Sequence, residues 1–437
     1  MKKVYISPLN HLSHTPSPTP FLLSEVNGLE FRELLAESLR CVRPCRAISA
    51  FAVNVDMVTR VRREHGKLLP PLRNLPERRV ISSAEELLSV LHYHLRKSLG
   101  AEWLIERRVG KELERIFEFR EALGGNSAHV ADTLSRFGFE VLLNIPKLSR
   151  KQASLLHEGI LCFSPSGTLG HPSEFASEEE EIIHYIFEFE EDEIIELMNG
   201  ESFRISQTGR FIASCDVSSP PEYLQEAFLK FSKEYARKAR GAFLSGFHLL
   251  RSDEGFERFI SLVNSWGSHL KIHLELGDFE SENVLRRVLR ELSPSVSSIG
   301  MNELELRRVC SVLSVPFEDS PESMVSSARK ISEILETPVV VHHPLFSFSA
   351  GDGIDERDLA LGVLTASTKA SFSEVTPENA RKMALSAELH PEGLRAVERI
   401  GERASAAFPS ILIRSFSTSV GLGDQFSAGY MMSVLSR

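Results

Sequence analysis

From residue 222 onward the chain alternates helical stretches with short apolar runs, at 242–245, 269–276, 297–301, 338–342 and 411–415. Apolar runs of this length, without polar alternation, are strands buried on both faces, and helices on both sides of a mostly parallel sheet are what bury them. In such sheets, ligands collect at the carboxyl ends of the strands. The residues just after each run are therefore the ones that bear on function.

The first half carries the same grammar less regularly. The stretch Arg46-Ala-Ile-Ser-Ala-Phe-Ala-Val-Asn-Val-Asp56 reads as a buried strand that delivers polar Asn54 and Asp56 at its end. Residues 83–123 are mainly helical in period, with Ser82 or Ser83 as N-cap. Gly124-Gly125-Asn126 opens another helix that ends at Gly138, and a strand follows at 140–145. The acidic run 177–181 reads as a solvated helix start. Runs at 182–189, 194–198 and 202–213 read as short antiparallel strands, a β-rich insertion unlike the rest. The Ser, Thr and Pro content of 11–20 marks an irregular loop.

Composition narrows the partners. The formal charge of −10 argues against nucleic acid or an anionic membrane, since both require a basic surface. It leaves room for a small anion held by backbone N–H groups and a few arginines. No apolar run approaches the roughly 18 residues of a membrane span, and the start of the chain lacks the apolar core of a signal peptide. The five cysteines are odd in number and mostly far apart, which suits reduced thiols in the cytoplasm.

Three motifs point to chemistry. Val420-Gly421-Leu-Gly423-Asp424 lies between the last strand and the last helix. Its glycines let the backbone turn tightly, and the helix N-terminus aims unpaired N–H groups at an anion such as a phosphoryl group in flight. Asp424 could take the proton of an attacking hydroxyl, and the helix dipole would keep it ionised. The same residues could equally be a turn and a helix cap. His273-Leu-Glu275 ends one strand, and Asn302-Glu-Leu-Glu305 follows the next. Two glutamates at strand ends could hold a magnesium ion through its waters, although Asn302 and Glu305 also have the spacing of a capping box.

In this order, HxE, NxxE and a late GxGD resemble the ADP-dependent glucokinases and phosphofructokinases, a branch of the ribokinase-like superfamily. Asn54-Val-Asp56, Gly124-Gly125-Asn126, Ile145-Pro-Lys-Leu-Ser, Ile183-His-Tyr, Leu244-Ser-Gly-Phe-His and Ile299-Gly-Met-Asn-Glu-Leu-Glu305 are similar to family segments over nearly the whole chain. The resemblance implies a ribokinase-like three-layer α/β/α domain with a mostly parallel sheet, plus a smaller β-rich lid. The large nucleotide-binding domain would take 1–56, 115–150 and 214–437. The small lid and sugar-binding domain would take 57–114 and 151–213. The implied reaction moves the terminal phosphoryl group of ADP to a hexose or hexose phosphate, yielding AMP, in a cytoplasmic monomer or small homo-oligomer with magnesium as cofactor.

The resemblance also implies roles. Asp424 would be the base, with the backbone at Val420, Gly421 and Gly423 cradling the transferring group. Glu275 and Glu305, with Asn302 in support, would organise magnesium, and His342 would lie by the nucleotide. Asn54, Asp56, Glu102, Gly124, Gly125, Asn126 and Arg210 would form the sugar site. The sequence departs from the family pattern at Asn126, Gln207, Gly209 and Gln425. Those departures leave open a paralogue that binds without turnover, and a ribokinase-like kinase with another donor or sugar.

Overall fold

The computed structural model describes residues 28–72, 80–178, 180–215, 224–250, 253–279, 281–418 and 420–437. The loop expected at 11–20 and Ser419 of the late glycine motif lie outside them. A ten-stranded sheet forms the centre of the molecule. Its middle is parallel: Arg46–Ala50 pairs with Gly241–Leu244 on one side and Glu140–Leu143 on the other. The parallel run continues through Lys271–Glu275 and Ser298–Asn302 to Val339–His342. Antiparallel strands Phe346–Ala350 and Ala406–Pro409 close that edge.

Two apolar cores lie on the two faces of this sheet, one under helices such as Asp253–Ser265 and Glu282–Leu292, the other under Asn126–Arg136, Glu356–Phe372 and Leu422–Ser436. The expected three-layer α/β/α core is thus what the chain forms. Leu422–Ser436 is buried from Gln425 almost to its end, and Glu356–Phe372 is buried along most of its length. Helices apolar all round belong inside a protein, and these two cross closely. A Cβ on Gly429 would stand 2.1 Å from Thr365 Oγ1, so only glycine permits the approach.

A second, five-stranded sheet carries Ala101–Leu104, Gly209–Ser214, Ile183–Phe189, Asn54–Arg60 and Arg120–Gly124 in that order, over its own apolar core. The expected single strand at 46–56 is in fact two. Arg46–Ala50 stays in the large sheet, buried residues 51–53 cross over, and Asn54–Arg60 enters the small sheet.

Several expectations need correction. The helical reading of 83–123 holds for Ala84–Lys97 and Arg107–Leu113 but misses strands Ala101–Leu104 and Arg120–Gly124. Both lie partly exposed, so neither shows the apolar run of a buried strand. Arg120–Gly124 joins the small sheet although 115–150 was assigned to the large domain, and Ile160–Phe163 joins the large sheet although 151–213 was assigned to the small one. The acidic run starts no helix; exposed Glu178 and Glu180 pair with Arg150 and Arg107 at 2.9 and 3.2 Å. The last strand is Ala406–Pro409, and 411–415 is irregular, with Ile411 in a lone bridge to Leu389. No disulfide joins the five cysteines, and among the described residues no helix is long and apolar enough to cross a membrane.

Candidate active site

A cavity of about 770 Å³ opens where the carboxyl ends of the large sheet face the small sheet. Asn54, Asp56, Glu102, Gly125, Asn126, Glu275, Asn302, Glu305, Arg210, His342, Val420, Gly421, Gly423 and Asp424 all line it. Gly124 lies immediately behind: a Cβ there would sit 2.2 Å from Asn54 Nδ2 and from Asp56 Oδ1, so a side chain would dislodge that pair. Residues up to 370 positions apart in sequence thus converge on one space.

The late glycine motif builds the phosphate end. Gly421 is the N-cap of Leu422–Ser436 with φ +71°, a left-handed conformation that glycine adopts without a Cβ penalty. Leu422, Gly423 and Asp424 form the first turn, so their N–H groups lack helical acceptors and stand ready for anionic oxygens. Asp424 Oδ1 accepts a hydrogen bond from Asn126 Nδ2 at 2.6 Å. The expected dipole effect does not control its ionisation. Burial raises the Asp424 pKa, against the lowering pull of His129, Asn126 and Arg210.

Glu275 is almost fully buried and tied on both oxygens. Oε1 accepts from His342 Nε2 at 2.8 Å, and Oε2 accepts from His273 Nε2 at 3.1 Å and Ser427 Oγ at 2.8 Å. Burial alone would raise its pKa, but the two histidines outweigh it and hold the carboxylate ionised. For His342 burial acts downward, and Glu275 more than reverses it, so the ring is held in its charged form. His342 therefore serves the site partly as the ion-pair partner of Glu275. Gly300 makes room for this cluster, since a Cβ there would stand 2.1 Å from Glu275 Oε2 and 2.6 Å from His273 Nε2.

The capping box at Asn302 is real. Asn302 Oδ1 accepts from the backbone N–H groups of Leu304 and Glu305, each at 2.9 Å, and the Asn302 N–H donates to Glu305 Oε2 at 2.9 Å. The cap does not exclude a site, because it aims Glu305 into the cavity beside Glu275. Burial, then the nearby Glu275 charge, pushes Glu305 up to about 7. Two hard carboxylates crowded enough to repel each other suit a divalent cation held through its waters. Among the described residues, no group of three or more His, Cys, Asp or Glu side chains forms a direct metal cage.

The opposite wall belongs to the small sheet. Asn54 Nδ2 donates to Asp56 Oδ1 at 2.6 Å, and Glu102 accepts from Ser214 Oγ. Burial raises the Asp56 pKa, while His184, His129, Asn54 and Arg210 pull it down. Sequence reading missed His129 and His184, the two histidines that act on this carboxylate. His129 stands three positions after Asn126, hence on the same helix face, which was the available signal. It also missed Val363, Ala366 and Ala370 with Leu412, Ile413 and Phe416, which line the apolar end of the cavity. Their signal was misread, because the run 411–415 looks like a strand.

Three of the four departures from the family pattern lie outside the cavity lining, and the fourth, Asn126, is part of the site. Gln425 is buried, with Oε1 accepting from Thr133 Oγ1 at 2.6 Å. Gln207 Nε2 donates to the Ser98 carbonyl at 2.8 Å and does not line the cavity. Gly209 packs under Phe189, where a Cβ would come within 2.7 Å of the ring. Asn126 holds Asp424 directly.

Comparison with known proteins places these features in one group. A family model described as "ADP-specific Phosphofructokinase/Glucokinase conserved region" matches residues 46–433. The chain is 26% identical over 435 residues to an ADP-dependent glucose/glucosamine kinase of Pyrococcus abyssi, covering 89% of this chain and 94% of that protein. It is 25% identical over 376 residues to an ADP-specific phosphofructokinase of Thermococcus kodakarensis, covering 75% and 81%. A crystal structure of a phosphofructokinase from Pyrococcus horikoshii OT3 with AMP superimposes with a TM-score of 0.74 at 21% identity, over 90% of this chain and 98% of that one. An ADP-dependent kinase in complex with fructose-6-phosphate and ADPβS gives 0.78 at 16% identity, over 93% and 97%.

Proposed function

The chain belongs to the ADP-specific phosphofructokinase/glucokinase family, and from that premise we propose that it is an ADP-dependent sugar kinase. It moves the terminal phosphoryl group of ADP to a hydroxyl of a hexose, releasing AMP. The observation that carries this reading is the convergence, in one cavity, of Asp424 at a helix N-terminus with Glu275 and Glu305 on one side and Asn54, Asp56 and Arg210 on the other.

The sugar lies against the small sheet, where Asp56, Asn54 and Glu102 accept and donate to its hydroxyls. Its acceptor hydroxyl faces Asp424. Asn126 fixes the carboxylate through Oδ1 and leaves Oδ2 to take the proton as the hydroxyl attacks. The N–H groups of Leu422, Gly423 and Asp424 receive the phosphoryl oxygens as charge develops on them. Charged His342 adds a fixed positive group on the same side. Glu275 and Glu305, the latter set by the Asn302 cap, are the residues that would hold magnesium, which would supply neutralisation of phosphate charge. The apolar end, with Val363, Ala366 and Phe416, receives the adenine.

A hexose without phosphate is the acceptor that the sugar wall suits best. Among the described lining residues Arg210 is the single arginine and no lysine appears, while Asp56 and Glu102 are acidic. A sugar phosphate needs several cations to replace its hydration. Gln207, three residues before Arg210, is turned onto Ser98 and adds none.

The test is to incubate the protein with magnesium, ADP or ATP, and a panel of hexoses and hexose phosphates, and to measure AMP. AMP formation that requires ADP and an unphosphorylated hexose is the expected outcome. Activity confined to fructose 6-phosphate would correct the acceptor. No AMP with any sugar, while ADP still raises the melting temperature, would replace the reading with a binding protein.

A further inference from the structure

Three side chains that do not line the active cavity reach it through one carboxylate. Tyr430 Oη donates to Ser298 Oγ at 3.0 Å, Ser298 Oγ lies 2.8 Å from His273 Nδ1, and His273 Nε2 lies 3.1 Å from Glu275 Oε2. All three are buried, and all three line a second cavity of about 400 Å³ elsewhere on the large sheet. Only Glu275 at the end of the chain of contacts lines the cavity that holds Asp424.

The two ends of this chain of contacts have a fixed direction. An ionised carboxylate can only accept, so His273 must present Nε2–H to Glu275. The other ring nitrogen, Nδ1, lies within hydrogen-bond distance of Ser298 Oγ, so the ring is held from both sides. The Ser298 oxygen in turn accepts from Tyr430. Burial raises the pKa of the Tyr430 phenol, so its proton stays available.

The sheet and helix periods explain how these residues meet. His273 and Glu275 are two apart on one strand and so share a face. Ser427 and Tyr430 are three apart on Leu422–Ser436 and share the side that meets that face, Ser427 on Glu275 and Tyr430 on Ser298. Asp424 is three residues before Ser427 on the same helix. The helix that carries the proposed base is therefore pinned, by two hydroxyls, to the two strands behind the proposed metal site.

We infer that Tyr430, Ser298 and His273 are positioning residues, a buried hydrogen-bonded chain that holds the His273 ring in place and thereby the orientation of Glu275 towards the magnesium side of the phosphate site. The inference rests on the kinase reading above. None of the three touches substrate. Partners that orient a metal-side ligand commonly affect metal affinity or activity by about 10- to 100-fold. A neutral hydroxyl two bonds further back carries less, about 2- to 10-fold.

The experiment uses the full chain and the variants Tyr430→Phe, Ser298→Ala and His273→Gln, with Tyr235→Phe as control. Tyr235 is also a buried tyrosine, but its hydroxyl donates to Glu140, outside the active cavity. Calorimetric titration of ADP at a series of magnesium concentrations, without sugar, gives a readout independent of turnover. Ring ¹⁵N shifts of His273 give a second. The expected result is an Nε2–H bonded to Glu275 in the parent chain, and shifted, broadened ring signals in Tyr430→Phe as the ring loses its fixed orientation. The magnesium concentration that half-saturates ADP binding should rise about 2- to 10-fold in Tyr430→Phe and Ser298→Ala, and more in His273→Gln, with none in the control.

A His273 ring without a proton on Nε2 in the parent chain would overturn the inference. So would an unchanged magnesium dependence in folded Tyr430→Phe and Ser298→Ala, or an equal change in Tyr235→Phe. Failure of the kinase reading shows differently: the parent chain itself would make no AMP, whatever the state of His273.

Discussion

The two ends of the active cavity are built in opposite ways. At the phosphate end, Glu275 is gripped by His273, His342 and Ser427, and Glu305 by its own helix cap. At the sugar end, Glu102 and Arg210 stand exposed on the small sheet, and Glu102 has the Ser214 hydroxyl as a neighbour. Groups that act on charge developing in the transition state gain from being fixed beforehand. Groups that only recognise a sugar can be exchanged with little harm to the rest. One fold can thus keep its reaction while its acceptor varies, as the differently named relatives of this chain illustrate.

Removing the base should have the largest effect and would break the comparison if it did not. Asp424→Asn should lower kcat by about 10²- to 10⁴-fold while the melting transition is kept. Retained turnover would put the essential proton acceptor elsewhere. In the parent chain the raised pKa of Asp424 moves the acid limb of kcat/KM upward from where an ordinary aspartate would put it. As pH falls through that limb the base is protonated and turnover is lost.

Gly300→Ala tests the rigidity of the phosphate end. The added Cβ would meet Glu275 Oε2 at 2.1 Å and must displace the His273–Glu275 pair. A misplacement of about 1 Å can cost about 10²-fold, so kcat should fall by that order while sugar KM stays near its parent value. Unchanged kinetics would mean that the pair is not held as tightly as its contacts suggest.

Glu102→Ala sharpens the contrast from the other end. It should raise the KM for the hexose about 10-fold and leave kcat within about twofold, the pattern of lost uniform binding. A fall in kcat with KM unchanged would place Glu102 in the reacting geometry instead.

The smallest effect concerns stability. Burial raises the folded-state pKa of Asp56 above its unfolded value, so the folded chain takes up the proton more readily. Stability from this group is full below the unfolded pKa and is lost as pH rises through the folded one. At neutral pH, Asp56→Asn should therefore raise the melting temperature of the ligand-free protein by about 1–2 °C, while sugar binding weakens. A lower melting temperature would mean that Asn54 and the histidines already compensate the buried charge.

The parts of the molecule legible in sequence were those whose signal is local. Strands such as Lys271–Glu275 and Ser298–Asn302 are buried on both faces, and their apolar runs say so without context. Glu275 and Glu305 were legible for a related reason, as polar residues placed where such runs stop, and Asp424 through the two glycines just before it at a helix start. Strands Ala101–Leu104 and Arg120–Gly124 were not, because half their residues face solvent and resemble a helix face. Ile411 to Ile413 misled in the other direction: the segment is apolar because it lines a cavity, not because it lies in the sheet. His184 and Gly300 gave no local signal at all. Their roles come from neighbours across a sheet, Asp56 for one and the His273–Glu275 pair for the other.

The passage of the chain from one sheet to the other has a mechanical consequence. Residues 51–53 make the crossing, and Gly125, where the chain crosses back, lies against it: a Cβ there would stand 2.4 Å from the Ala52 carbonyl oxygen. These two, of the four passages the chain makes between the sheets, touch and form a pivot. Asn54 and Asp56 sit directly beside it. Glu102 lies three strands further out, about 14 Å at the usual strand spacing. Any tilt of the small sheet about that pivot swings Glu102 through a long arc and leaves Asp56 nearly still. In such a tilt Asp56 would be the fixed jaw of a gripper and Glu102 the travelling one, and the reach of the outer strand would set the span between them.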